Sequence, residues 1–191
     1  MKDPTPDKLQ GALEFPVKHA FQQLRDDLRF IAQDHNNPGR VNVALADFLS
    51  QARRLDEFFF PWPADREQWR ERVFADECCP PGRWDSTNKP DSLKGIRRTV
   101  GEKYLHIELG AVMPMSDRGA VDCVQIWRDL EDVGARFVDR ATPGLISDEL
   151  AAKLRIDRAT FEAQLPESDL RERLHRVSGS SGPSFDVLNL L

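Results

Sequence analysis

Arg98, Glu102 and His106 stand four residues apart within SLKGIRRTVGEKYLHIEL, residues 92–109. On a helix this spacing lines a guanidinium, a carboxylate and an imidazole along one edge. Together they suit phosphodiester chemistry. An imidazole that titrates near neutral pH can take the proton of a ribose 2′-hydroxyl and return one to the leaving oxygen. A guanidinium can hold the scissile phosphate and stabilise the charge that develops on it. Glu102, between them, would orient His106 and keep Arg98 extended. The same three residues also fit a plain surface ladder, in which each i,i+4 pair adds only a few tenths of a kcal/mol.

Neighbouring residues extend this edge. Lys94, Arg97 and Lys103 join Arg98 in the one basic patch of the chain, so they are the candidate RNA contacts. A solvated helix face is the alternative. Leu105 and Leu109 lie beside the polar edge and are the candidate contacts of a two-fold dimer, which would bring two copies of the set into one cleft. Leu93, Ile96, Val100, Tyr104 and Ile107 recur at spacings of three and four on the other side, which predicts a stripe facing a core. Gly95 and Gly101 fall inside this predicted helix, each costing about 1 kcal/mol relative to Ala.

The elements that would position this edge are all helical. Hydrophobic residues make up 40% of the 191-residue chain and charged residues 31%, enough for a buried core. Runs of β-branched residues are scarce, which argues against a sheet. Residues 1–14 are polar and read as a flexible arm. Pro16 suits the first turn of a helix reaching about Asp34, with Val17, Ala20, Phe21, Leu24, Leu28 and Ile31 as its stripe. His35-Asn36-Asn37-Pro38-Gly39 breaks it. A second helix spans about 40–60 through Val41, Ala44, Leu45, Phe48, Ala52, Leu55 and Phe59, and the short join predicts an antiparallel hairpin. Pro61-Trp62-Pro63 opens an irregular region with a short helix near 66–75, anchored by Trp62, Trp69, Phe74 and Trp84. A fourth long helix is expected from about 117–119 to 141, with Val121, Val124, Trp127 with Leu130, Val133 or Gly134, and Phe137 inward.

Pro143-Gly144 marks a boundary. The organisation expected is a helical bundle over 15–143, a helical extension over 144–178, and a linker with an apolar tail over 179–191. Within the extension, SDELAAKLRIDRATFEAQL looks like a helix-turn-helix, with Ile156 at the turn and a recognition helix from Arg158. The turn position usually held by Gly carries Arg155, and few basic residues follow, so a hairpin covering the bundle is the competing reading. The segment 185–191, FDVLNLL, follows Gly179-Ser180-Ser181-Gly182 and is a candidate contact for a protein partner or for the chain's own bundle.

Several classes are disfavoured. The net charge of −5 gives no global pull toward nucleic acid, so any such contact depends on the local patch. Cys78, Cys79 and Cys123 form no regular framework, and an odd count points to a reducing compartment. Cys78-Cys79 with His106 or His175 lacks the ligand spacing of a zinc site, and no metal or cofactor is expected. No apolar leader or segment of membrane-spanning length is seen, so a cytoplasmic protein is expected.

VALADFLSQARRLDEFFF, the single Trp84 in the loop after it, SLKGIRRTVGEKYLH, and VQIWRDLEDVGARF together resemble the HEPN superfamily over about residues 15–141. That resemblance implies an up-and-down four-helix bundle, commonly dimeric. It also implies an RNA-directed role, either a metal-independent ribonuclease of the toxin or defence type or a non-catalytic relative. The superfamily signature is an Arg followed a few residues later by a His on the third helix, which here implies Arg98 as phosphate ligand and His106 as general acid/base. Seven residues lie between the two in this chain. Positions eight apart on a helix differ by about 80° in direction and stand about two turns apart. A dimeric interaction or regulatory protein without catalysis is the rival expectation.

Overall fold

The computed structural model describes residues 4–33, 38–69, 71–100, 122–155 and 161, and among these every regular element is helical. The order is α1 (Pro6–Ala12), a π turn (Leu13–Val17), α2 (Lys18–Gln33), α3 (Pro38–Phe59), α4 (Pro63–Gln68), 3-10 turns at Ala75–Cys78 and Asp91–Leu93, α5 (Ile96–Thr99), α6 (Cys123–Arg140) and α7 (Asp148–Leu154).

The predicted arm is in part a helix. Thr5 caps α1, its hydroxyl accepting from Lys8 N at 3.4 Å, and Pro6 sits at the first turn. Pro16 does not start a helix. It lies inside the π turn that joins α1 to α2. Proline has no N–H and its ring crowds the carbonyl four residues back, so a locally widened turn carries the chain past it. The turn buries Leu13 and Val17 and leaves Phe15 80% exposed.

The core stripes of α2, α3 and α6 are as expected from the spacing. All the apolar positions named above for α2 and α3 are buried, as are Val124, Trp127, Leu130, Val133 and Phe137 on α6. The most extensive packing is α2 against α3, and α6 packs on both. Gly134 allows α6 to approach α2 closely, because a Cβ there would lie 2.8 Å from Phe21 Cζ. The start of α6 is Cys123, with Asp122 as its cap through Gln125 N at 2.9 Å, rather than 117–119.

The described residues beyond Pro143 stay on the same core. Ser147 caps α7, accepting from Leu150 N at 3.1 Å, and Leu150, Leu154 and Phe161 are buried with the bundle residues. The ring of Phe161 stacks near Trp127 at 4.7 Å. Arg25 of α2 clamps this corner. It grips Glu131 of α6 with two bonds of 2.7 Å and donates to Lys153 O of α7 at 2.7 Å, while Trp127 Nε1 donates to Glu131 at 2.9 Å. The expected boundary at 143–144 therefore does not separate α7 from the bundle. α7 packs on α2 and α6, and Arg155 at the supposed turn pairs with Asp139 of α6. Ile156 and Arg158 lie outside the described residues, as does the tail.

Candidate functional site

α3 ends at Phe59, where a helix leaves its last carbonyls without partners inside the helix. Two side chains from later in the sequence fill that need. Trp84 Nε1 donates to Phe59 O at 2.8 Å. Arg97 Nη2 donates to Phe60 O at 2.6 Å and to Asp56 O at 3.2 Å. A cation at this end also complements the helix dipole. The remaining guanidinium nitrogens are committed as well: Nε binds Asp56 Oδ2 at 2.6 Å and Nη1 binds Asp65 Oδ2 at 2.5 Å. That same Asp65 oxygen accepts from Trp62 N at 2.8 Å, capping α4, and the Trp62 ring lies over the guanidinium at 4.4 Å. Lys89 Nζ completes the cluster 2.6 Å from Asp56 Oδ1. Burial pushes the Asp56 carboxyl above its ordinary range, and Lys89 and Arg97 pull against that shift.

This geometry corrects the reading of Arg97 as an RNA contact. The residue is 6% exposed and its hydrogen-bonding fork is used up inside the protein. It is a clamp that fixes α5 to the end of α3 and the start of α4. Arg98, the next residue, is exposed. Lys94 is exposed too and pairs with Asp91. The predicted long helix is interrupted at its start: Asp91–Leu93 is a 3-10 turn, and Gly95 takes φ +91°, a conformation natural to glycine, before α5 begins. Leu93, Ile96 and Val100 are buried, as the stripe predicts. Glu102, Lys103, Leu105, His106 and Leu109 lie outside the described residues, so Arg98 and Lys94 are the members of the expected site with a described position on the surface.

A second feature was not anticipated from the sequence. A groove of about 580 Å³ runs between the π turn, the start of α2, the last turns of α3 and the loop at 71–74. Its walls include Leu55, Phe58, Val73 and Phe74, with Phe15 also lining it. Its charged lining carries Lys8, Arg54 and Arg72 beside Glu57 and Glu71, with His19 among them. Arg72 Nη1 holds Glu57 Oε2 at 2.8 Å, Lys8 reaches Glu71 at 3.8 Å, and Arg54 Nη1 donates to Gln51 at 3.3 Å. His19 and Arg54 are exposed, and the fold sets them around one apolar depression.

The cysteines offer no reactive thiolate. All three are buried; burial pushes the Cys78 thiol up to about 12 and that of Cys79 up to about 11, and also raises Cys123. Among the described residues no three His, Cys, Asp or Glu side chains are grouped to hold a metal ion. No described helix is long and apolar enough to cross a membrane.

No family model matches the chain, and no similar curated protein or solved structure was found.

Proposed function

We propose that the protein acts on or binds RNA through the stretch that begins at Arg98, as a HEPN-like ribonuclease of the toxin or defence type or as a non-cleaving relative. The observation that carries this reading is the contrast between two adjacent arginines. Arg97 is locked by four acceptors on α3, α4 and the chain between them, while Arg98 on the same short helix is exposed. A rigid mount lowers the cost of holding a side chain ready for a ligand. In this role Arg98 binds the phosphate, His106 exchanges the 2′-hydroxyl proton, and Glu102 orients the imidazole. Lys94 and Lys103 add local positive potential to a chain whose net charge is −5. A dimer through Leu105 and Leu109 would pair two such edges. Incubation of wild type and His106→Ala with total RNA in the presence of a chelator tests the catalytic form. Cleavage by wild type, reduced at least about 100-fold in the variant, is the expected result. Equal and negligible cleavage by both removes the catalytic form.

A second reading, a non-enzymatic interaction protein, is favoured by the groove. It combines apolar walls, a charged rim and an aromatic side chain, Phe15, that the folded chain leaves 80% exposed.

A further inference from the structure

The interaction reading leaves the occupant of the groove unnamed, and the inference here rests on that reading. The walls call for a short apolar segment. The rim has Lys8, Arg54 and Arg72, two of which are already paired with Glu71 and Glu57. Arg54 has a neutral partner, Gln51, and so remains uncompensated by a carboxylate there. An occupant with few charges, and those negative, fits best.

The chain itself contains such a segment. FDVLNLL at 185–191 is apolar apart from Asn189 and one acidic residue, Asp186, and no Lys or Arg occurs from 177 onward. The segment is also within reach. Phe161 is buried against Trp127, and Arg29 of α2 lies over its ring at 4.7 Å. His19, at the groove, is ten residues from Arg29 along α2, about 15 Å at the helical rise. Residues 162–178 alone would cover about 25 Å even if wholly helical, and residues 179–184 add six more residues of reach. Tethering at Phe161 gives the segment an effective concentration on the order of millimolar, so modest apolar contacts suffice for docking.

We propose that the groove between the π turn, α3 and the 71–74 loop is the docking site of residues 185–191 of the same chain. Phe185 and the leucines fill the apolar walls beside Phe15, and Asp186 meets Arg54. The segment thereby covers the exposed phenylalanine and competes with any external ligand of the groove.

A photo-crosslinking residue, benzoylphenylalanine, placed at position 15 of the full chain tests this. Phe15 is 80% exposed, so the substitution leaves the fold intact. After irradiation, mass spectrometry of the monomer is expected to show crosslinks from position 15 to 185–191. Adding Leu188→Asp and Leu190→Asp is expected to reduce them at least tenfold, with unchanged melting temperature of the bundle. Crosslinks confined to the groove's own walls overturn both the proposal and the interaction reading. Crosslinks only to a second copy overturn the intramolecular occupant while leaving the groove as a docking surface.

Discussion

Arg97 and Asp27 are both charged residues in buried positions, and the two positions have opposite consequences. Arg97 has a carboxylate or carbonyl for each nitrogen that forms a fork, so its removal would leave Asp56, which is 0% exposed, with Lys89 as its one remaining cation and take a donor from Asp65 and from Phe60 O. Arg97→Ala is expected to cost about 3–5 kcal/mol, read from denaturant unfolding. Arg97→Lys is expected to recover little of this, because an ammonium cannot reproduce the planar fork. Asp27 is instead poorly served. It is 6% exposed, accepts from Gln23 Nε2 at 3.0 Å through one oxygen, and has no partner for the other. Burial raises its carboxyl from 3.8 to about 6, and Asp47 and Asp26 push the same way. The folded state thus keeps a proton that the unfolded chain has already released. Stability contributed at this site falls as pH rises from about 4 to about 6, and stays low above that. Asp27→Asn carries no such penalty. Its stability relative to wild type is expected to rise by about 1–3 kcal/mol between pH 4 and pH 7, and a constant difference in thermal melts would refute the assignment.

The helices were legible because their stripes are long and regular, and what escaped prediction sits where one local rule met a tertiary contact. Pro16 fits a helix start by its own chemistry. Because Leu13 and Val17 both reach the core, the chain is held helical on either side, and the proline is absorbed in a π turn instead. The polar residues of the clamps did leave a trace in the sequence. Asp56 lies four after Ala52 and three before Phe59; Arg25 lies four after Phe21 and three before Leu28; Glu131 lies four after Trp127. Each occupies a core-facing position, where a charge requires a buried partner. The identity of the partner, 41 residues away for Asp56 and 106 for Arg25, depends on tertiary packing and has no local signal. The α2–α6 contact yields a direct test. Gly134→Ala should gain about 1 kcal/mol of helix propensity, yet its methyl would lie 2.8 Å from Phe21 Cζ. A net loss of about 1–3 kcal/mol in thermal unfolding is expected, and a gain would show that α6 can shift without cost.

At the scale of the whole molecule, the 3-10 turn before α5 breaks the start of the expected helix, and the clamp at the end of α3 takes Arg97 out of the expected site. The basic patch expected from composition loses Arg97 to the interior and keeps Arg98 and Lys94 on the surface. The patch was misread because adjacent basic residues in sequence need not share a side of a helix. Breakers such as Pro143-Gly144 mark the end of a helix, while Leu150, Leu154 and the Arg25–Lys153 bond decide which core the next helix joins. The groove had no sequence signature, since its walls come from three separate stretches of the chain.

The division of labour between Arg97 and Arg98 is most directly tested by titrating labelled single-stranded RNA with wild type and Arg98→Ala at low salt, with the melting temperature of both recorded. Loss of one charge-assisted phosphate contact is expected to weaken binding about 10- to 100-fold, with any change in melting temperature too small to account for the loss. Equal affinity of the two proteins, or a fall in melting temperature that accounts for the loss, would contradict the assignment of Arg98 as the exposed phosphate ligand.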